Sequence, residues 1–373
     1  MRKVMVVFGT RPEAIKLAPV VHALARSSTL RPYVCVTGQH RQMLDQMLKF
    51  FEIEPDHDLA VMRPNQDLYG LTARLIESMQ PVLAAQKPDA ILVQGDTTTA
   101  FAAALAGFYL RIPSGHVEAG LRTNDLFNPF PEEMNRRLVS QIATWHYAPT
   151  ALAKRNLVRE SVPPERVLVT GNTIVDAVTE LLARLDREPQ PLPASLPPER
   201  LAGKRLIAVT GHRRESFGEG MRNICTALRT IADRHDDVVI VYPVHLNPNV
   251  QQPVRELLGN QPRIVLTEPM DYLPFVALLR RAYLILTDSG GVQEEAPSLR
   301  VPVLVMRETT ERPEGVDAGV AELVGTSTER IVAAAQRLLS DRAAYDSMVT
   351  AANPYGDGHA AQAIVTHLER RLG

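Results

Sequence analysis

Short apolar, β-rich runs alternate with longer amphipathic stretches along almost the whole chain, and this alternation restricts the fold more than any other feature. Runs such as residues 4–8, 33–37 and 90–94 are almost entirely apolar, as strands buried in a parallel sheet are. Alternating strands and helices indicate βαβ units, and therefore an α/β fold with helices on both faces of the sheet. Further strands are predicted at 114–118, 144–148, 167–170, 205–210, 238–244, 263–268, 283–288 and 302–306, and helices at 13–27, 39–51, 66–85 and 358–372.

The alternation continues on both sides of a proline-rich interruption. Residues 187–203 contain five prolines in seventeen positions, and prolines cannot continue a helix or a central strand because they lack an amide donor. We interpret this segment as an exposed loop near the start of a second domain. A chain of 373 residues is also too long to fold around one ordinary hydrophobic core. We predict two doubly wound, Rossmann-like domains facing a cleft: residues 1–170 with a C-terminal helix at 357–373, and residues 171–356.

The overall composition excludes several classes of partner. Acidic and basic side chains number 42 and 41, so no net charge attracts the chain to nucleic acid or to an anionic membrane. No apolar stretch is long enough to span a bilayer, and the run at the N-terminus is too short for a signal peptide. Cys35 and Cys225 lie far apart without a CxxC pair, which suits a reducing compartment. We expect a cytoplasmic protein with no nucleic-acid and no membrane partner.

Charged residues follow the predicted strands of the first half, at the sheet edge where open α/β sheets bind ligands. Arg11 and Lys16 lie near the start of the first helix, where backbone amides favour an anion. Cations there oppose the helix dipole, which favours binding over a solvated surface. Asp96 follows the strand at 90–94, and taken alone it is equally well explained as a helix N-cap.

The next predicted strand, 114–118, ends at Glu118, and a pair of glutamates follows. A helix beginning near Pro131 would place Glu132 and Glu133 in its first turn, with Arg136 one turn further on. Acidic residues stabilise a helix N-terminus. We therefore expect one of the two glutamates to have a purely structural role.

In the second half, candidate anion-binding residues follow two strands. His212 and His245 each lie after a strand, where an isolated histidine is usually structural, but Arg213 beside His212 indicates an anion pocket. Ser289, Gly290 and Gly291 join a strand to a helix and expose amides that suit a phosphate, although glycine turns are common. Glu295 follows about a turn and a half later and could reach ribose hydroxyls.

Several named sites are absent from the sequence. No strand is followed by GxGxxG, no GxxxxGK[ST] occurs, and no tyrosine has lysine four residues later, as NAD-dependent sugar epimerases require. His116 and Glu118 imitate a zinc-deaminase HxE, but the PCxxC partner is missing. The His and Cys spacing offers no metal site. We therefore expect no cofactor and no metal.

Eleven strings together resemble the non-hydrolysing UDP-N-acetylglucosamine 2-epimerases. They occur in family order from residue 9 to 358: GTRPEAIKLAP, GQHRQMLDQ, GDTTTA, GHVEAGLRT, PEEMNR, TGNTIVDA, TGHRRESFG, YPVHLNPNV, SGGVQEEAPS, TTERPEG and NPYGDG. The resemblance implies a GT-B-like fold, a homodimer, and reversible conversion of UDP-GlcNAc to UDP-ManNAc through 2-acetamidoglucal and UDP. One departure is Met270, where some members have a polar residue.

The resemblance also implies residue roles. It assigns catalysis to Asp96, Glu118, Glu132 and His212, and substrate binding to Arg11, Lys16, Arg136, Phe275, Ser289, Gly290, Gly291, Glu295 and Arg312. A second UDP-GlcNAc, acting as an allosteric activator, would contact Gln39, Gln42, Gln66, Arg213 and His245. Asn65 departs from the arginine of some members and weakens that second site.

Three rival functions remain at this stage. A GT-B glycosyltransferase would share the UDP half, but the carboxylates Asp96, Glu118 and Glu132 argue against it. A hydrolysing epimerase would release free ManNAc, whereas the GTRPEAIK string favours the non-hydrolysing branch. A non-catalytic sugar-nucleotide sensor should lack the carboxylate set.

Overall fold

The chain divides into two units in the computed structural model, which describes residues 1–38, 41–63, 66–192 and 195–373, and of residues 41 and 42 the backbone only. Unit 1 comprises Met1–Glu180 and Tyr355–Gly373, and unit 2 comprises Leu181–Pro354. The described residues include no helix that is long and apolar enough to cross a membrane.

Unit 1 is built on a parallel sheet whose strands are the apolar runs of the sequence. In the described residues its strands are β1 Arg2–Phe8, β2 Leu30–Val36, β3 His57–Asp58, β4 Ala90–Gln94, β5 Ser114–Val117, β6 Trp145–Ala148 and β7 Val167–Val169. Their order is β3-β2-β1-β4-β5-β6-β7. The order in which successive strands are added to the sheet therefore reverses between β1 and β4. This position is the topological switch point of a doubly wound fold.

Helices join the strands of unit 1 and cover the sheet. They are α1 Arg11–Ala25, α2 Arg41–Phe50, α3 Leu68–Gln86, α4 Thr98–Tyr109, α5 Glu132–Ile142, α6 Ala151–Arg159 and α7 Thr173–Arg187. Side-chain caps stabilise the N-termini of α1 and α4. Thr10 and Glu13 form a capping box at α1, and the Thr97 hydroxyl accepts from the Ala100 amide at α4. Both caps lie at the carboxyl end of the sheet.

Unit 2 repeats the same design. Its strands, within the described residues, are β8 Arg205–Thr210, β9 Val238–Pro243, β10 Ile264–Thr267, β11 Leu284–Thr287, β12 Val303–Val305 and β13 Ala321–Leu323, in the order β10-β9-β8-β11-β12-β13. Its helices are α8 Pro198–Leu201, α9 Glu219–Arg234, α10 Pro248–Leu258, α11 Tyr272–Arg281, α12 Gly290–Leu299, α13 Pro313–Asp317, α14 Thr328–Ser340 and α15 Arg342–Thr350. The switch point of this sheet lies between β8 and β11.

The C-terminal helix α16, Ala360–Leu372, belongs to unit 1. The Asp176 carboxylate in α7 accepts hydrogen bonds from the amides of Ala360 (3.3 Å) and Ala361 (2.9 Å) at the start of α16. The first half of α7 is thereby fixed to unit 1, and the units change over at Glu180, within the helix, rather than at the predicted residue 170. The return to unit 1 comes at Tyr355, close to the predicted residue 357.

The prediction of two Rossmann-like parallel-sheet domains is confirmed, and the cleft stays a prediction. The expectation of an exposed proline-rich loop was partly wrong. In the described part of 187–203, α8 forms at Pro198 and Leu196 is buried in the core of unit 2. The very short strands β3 and β13 were not predicted, because two or three residues carry no recognisable periodicity.

Candidate active site

The first group of predicted residues meets at the switch point of the unit 1 sheet. Arg11, Asp96 and Glu132 line one cavity of about 420 Å³. Arg11 follows β1, Asp96 follows β4, and Glu132 begins α5. The other lining residues are Thr10, Pro12, Met43, Leu68, Thr97, Thr98, Pro131 and Asn135. Residues far apart in sequence converge here because the carboxyl ends of parallel strands share one edge of the sheet.

Glu118 and Lys16 form an ion pair at the same edge of the sheet, where a Cβ on Gly95, the residue before Asp96, would lie 3.8 Å from Glu118 Oε1. Their side chains are 7% and 9% exposed. Glu118 follows β5 in the left-handed region, at φ 63°, a conformation that costs a non-glycine residue about 1–2 kcal/mol. Gln94 donates to its Oε1 at 3.1 Å and Asn172 to its Oε2 at 2.9 Å. The strained backbone and these donors give the carboxylate a defined position.

The two adjacent glutamates of α5 have different environments. Glu133 is fully buried, accepts from Arg136 at 3.0 Å and Arg137 at 3.3 Å, and also receives the Thr123 amide at 3.1 Å. Burial opposes its ionisation, but the Thr123 amide and Arg136 outweigh burial and lower the pKa of Glu133. Glu133 is therefore the structural member of the pair.

Glu132 instead lines the cavity. Its Oε2 is buried and has no hydrogen-bond partner among the described residues. A buried carboxylate oxygen without a donor is costly unless a ligand or solvent meets it. Asp96, on the same cavity, is held by Arg136 at 2.7 Å. Asn135 donates to the Asp96 carbonyl at 2.9 Å and fixes the backbone there.

Glu13 links the two loops that carry Arg11 and Asp96, and the sequence analysis missed it. Its Oε2 accepts from the amides of Gly9 (3.0 Å) and Thr10 (2.8 Å), and its Oε1 accepts from the Thr97 hydroxyl at 2.6 Å. Burial raises the pKa of Glu13 despite these donors. The spacing Thr10–Glu13 is a capping-box signal, but nothing in the sequence indicates the contact with Thr97.

His116 supports the same turn from β5. It is completely buried, and its Nε2 lies 2.7 Å from the Gly95 carbonyl, to which it must donate. Burial, with a smaller contribution from His146, lowers the pKa of His116 to about 3. His116 is therefore neutral at physiological pH and acts as a fixed donor.

The second group of predicted residues lies at the switch point of unit 2. Asp288, directly after β11, is fully buried and accepts from the amides of His212 (2.6 Å) and Arg213 (2.7 Å) after β8. The His212 Nδ1 lies 3.4 Å from the other Asp288 oxygen. Sequence reasoning overlooked Asp288, although its place after an apolar run was the available signal.

His245 stacks on His212, with ring centroids 5.4 Å apart and an interplanar angle of 20°. The sequence resemblance predicts different sites for the two histidines, the catalytic site for His212 and the allosteric site for His245. Their contact means that a change at His245 also affects the position of the His212 ring.

The side chain of Arg312 packs against the glycine-rich turn that follows Asp288. Arg312 approaches Gly290 so closely that a Cβ there would lie 2.6 Å from Nη1. Glu294, almost fully buried, receives Arg312 Nε at 2.6 Å. A guanidinium against the first turn of α12 adds its charge to that of the helix-start amides, and proteins bind diphosphates with such a combination.

Arg307 and Glu311 hold the segment before Arg312. Arg307 Nη1 donates to Glu311 at 2.8 Å and its Nε to Glu215 at 2.5 Å. Burial opposes ionisation of Glu311, but the Arg307 hydrogen bond and the Arg312 charge outweigh it and lower the pKa of Glu311 to about 2.

The remaining predicted binding residues of unit 2 lie on α11 and α12. Phe275 is partly buried against the core on this face of the sheet. Glu295 is 7% exposed and receives the Tyr272 hydroxyl at 3.3 Å. Tyr272 therefore orients the carboxylate that the sequence analysis placed near a ribose.

The predicted second UDP-GlcNAc site is described only in part. Gln39 and the side chain of Gln42 lie outside the described residues. Gln66 accepts from Arg74 and lies near Met62 within unit 1, while Arg213 and His245 belong to unit 2. In the ranges that are described, no cluster of three or more His, Cys, Asp or Glu could hold a metal ion.

Comparisons with known proteins agree with one another. A family model described as UDP-N-acetylglucosamine 2-epimerase matches residues 22–369. The Yersinia pestis UDP-N-acetylglucosamine 2-epimerase is 58% identical over 371 residues, 98% of each chain. The crystal structure of the Neisseria meningitidis enzyme bound to UDP-GlcNAc has 47% identity and a TM-score of 0.89, covering 99% of this chain and 100% of that one. The Methanocaldococcus jannaschii enzyme in complex with UDP-GlcNAc and UDP has 33% identity and a TM-score of 0.79, covering 99% of each chain.

Proposed function

Because the chain belongs to the UDP-N-acetylglucosamine 2-epimerase family, and is therefore an isomerase, we propose that it interconverts UDP-GlcNAc and UDP-ManNAc by eliminating UDP and adding it back. The C1–O bond breaks and its electron pair leaves with UDP, while a carboxylate takes the C2 proton and a C1–C2 double bond forms. UDP then adds to C1 of 2-acetamidoglucal, and a proton is delivered to the opposite face of C2. No net oxidation occurs.

The carboxylates of unit 1 are the observation that carries the proposal. The sugar C2–H is barely acidic, and it becomes acidic only as positive charge grows at C1. Asp96 and Glu132 line one cavity, and Glu118 follows β5 at the same edge of the sheet. Proton removal on one face and delivery on the other require more than one such group or a movement of the sugar. Lys16 and Arg136 balance the negative charge of these groups and suit the acetamido sugar.

The residues of unit 2 suit the leaving group. Departure of UDP places charge on the β-phosphate, and cations with helix-start amides stabilise such charge. Arg312 at the start of α12 and His212 beside Asp288 are the groups assigned to this task. Glu295, oriented by Tyr272, is assigned to the ribose and Phe275 to the nucleoside.

Proton NMR of the purified protein with UDP-GlcNAc in heavy water tests the proposal. We expect UDP-ManNAc to form without added NAD or metal, with deuterium at C2 of both UDP-sugars, since the proton exchanges with solvent through a carboxylate. Full retention of the C2 hydrogen would contradict elimination. Free ManNAc would indicate a hydrolysing enzyme, and loss of turnover after EDTA, restored by a divalent ion, would contradict metal independence.

Glu118→Gln is the sharpest variant for the same assay. It keeps one acceptor for the neighbouring donors but cannot take a proton, so turnover should fall roughly a hundredfold or more. Near-normal turnover would remove Glu118 from the catalytic groups.

A second UDP-GlcNAc as activator also stays a proposal, which rests on the resemblance. The test is conversion of UDP-ManNAc alone, which should show a lag that trace UDP-GlcNAc removes. Since His245 contacts His212, Gln66→Ala is the better variant for separating activation from basal turnover. An immediate full rate in the wild type would exclude obligatory activation. The homodimer and the cytoplasmic location likewise stay predictions.

A further inference from the structure

Asn172 lies between β7 and α7, only 2% exposed, and its side chain points at Glu118. Its Nδ2 donates to Glu118 Oε2 at 2.9 Å, and its Oδ1 accepts from the Ile174 amide at 3.1 Å. The Ile174 amide can only donate, so the oxygen of Asn172 must face it. The side-chain NH2 is therefore directed at the carboxylate by the start of α7.

The backbone of Asn172 is fixed by the chain segment that returns to unit 1. Its amide donates to the Tyr355 carbonyl at 2.7 Å. Gly171, at φ 87°, and Gly356, at φ 121°, pack so closely that a Cβ on Gly356 would lie 3.1 Å from the Gly171 Cα. Asn172 is thus held on one side by the start of α7 and on the other by Tyr355 and Gly356, nearly two hundred positions later in the chain.

The donors around Glu118 come from separate elements of unit 1. Lys16 from α1 supplies a positive charge to Oε2, Gln94 from β4 supplies a neutral donor to Oε1, and Asn172 supplies a neutral donor to Oε2. An amide NH2 can donate to a carboxylate but cannot accept a proton from the acid. Each such donor therefore favours the ionised form of Glu118.

We propose that Asn172 is a positioning residue that orients Glu118 and keeps it ionised for proton abstraction, whichever sugar face Glu118 serves. This inference rests on the proposed function and adds to it a residue that acts through its contact with Glu118. It also explains why the segment at Tyr355, distant in sequence, packs on the loop behind the carboxylate.

Asn172→Asp tests the inference with little change in shape. The variant keeps the backbone bond to Tyr355 and the acceptor for Ile174, but it places a carboxylate oxygen against Glu118 Oε2. Two carboxylates so close share a proton. We expect kcat at pH 7 to fall at least about tenfold and the acid limb of the pH profile to move up by roughly one pH unit or more. UDP affinity, measured by calorimetry, should be unchanged.

Asn353→Asp in unit 2 is the matched control. Its side-chain amide donates to the Ser298 hydroxyl at 3.1 Å, and it belongs to unit 2 whereas Glu118 belongs to unit 1, so its pH profile should equal that of the wild type. If Asn172→Asp does not fold, Asn172→Ala removes the donor to Glu118 Oε2 and should also lower kcat and move the acid limb up, and a wild-type profile in that variant would overturn the inference. A wild-type kcat and pH profile in the folded Asn172→Asp variant would overturn the inference. Equal losses of kcat and UDP affinity would also overturn it, because they indicate a general structural defect.

The proposed function and this inference fail in distinguishable ways. A wild-type protein without C2 exchange refutes the proposed function. The inference is then decided by NMR of protein labelled with 13Cδ-glutamate, in which Glu118→Gln identifies the Glu118 signal. That signal should titrate at higher pH in Asn172→Asp than in the wild type, and an unchanged titration would refute the role of Asn172.

Discussion

Gly290→Ala should weaken UDP binding while leaving the fold intact. A Cβ at Gly290 would lie 2.6 Å from Nη1 and 2.8 Å from Cζ of Arg312. Carbon and nitrogen atoms need well over 3 Å, so Arg312 must move by roughly an ångström. The clashing atoms are the far end of a flexible side chain, and alanine is a better helix residue than glycine. The clash is therefore relieved by a movement of the Arg312 side chain, and the fold of unit 2 should be preserved.

The magnitude follows from what Arg312 contributes. A charge-assisted hydrogen bond contributes about 1.5–3 kcal/mol, which corresponds to roughly a tenfold to a hundredfold change in affinity. The displaced guanidinium can retain part of its contact with Glu294, now at 2.6 Å, so the lower half of that range is expected. The free energy of unfolding should change by less than about 1 kcal/mol, since the helix gain offsets part of the strain.

Titration calorimetry with UDP measures the affinity, and urea unfolding measures the stability. Gly220→Ala is the control, because a Cβ there meets Thr326 at an ordinary 3.5 Å. Arg312→Ala sets the full loss expected when the guanidinium is absent. If Gly290→Ala binds UDP within twofold of the wild type while Arg312→Ala does not, the reasoning from close approach is wrong.

Two further predictions concern glutamates. Glu132→Gln should abolish most turnover with unchanged stability, whereas Glu133→Gln should lose about 3 kcal/mol in urea unfolding because it breaks a buried pair with Arg136; equal stabilities of the two variants would contradict the separation of their roles. Because the pKa of Glu311 is lowered from 4.5 to about 2, its ionised form stabilises the fold above about pH 4.5, and that stabilisation is lost as pH falls toward 2. Glu311→Gln should therefore flatten acid unfolding in this window, and an unchanged slope would count against the ion pairs with Arg307 and Arg312.

The sequence by itself determined the fold class and the place of the candidate site. Short, mostly apolar runs such as Ala90–Gln94 form strands because a parallel sheet covered on both faces buries them completely. The residue after a parallel strand then lies at the ligand-binding edge, whatever the rest of the chain does. Arg11, Asp96 and Ser289 were found in this way, from local pattern alone.

Only the tertiary structure decided which polar groups meet. Glu132 and Glu133 are neighbours with the same chemistry, and the packing of α5 alone separates the cavity-lining carboxylate from the buried one. The partners of Glu118 come from α1, β4 and the loop before α7. Hydrogen bonds and ion pairs act over a few ångströms and depend on direction. They therefore depend on how distant segments pack, which periodicity and spacing in a single sequence do not contain.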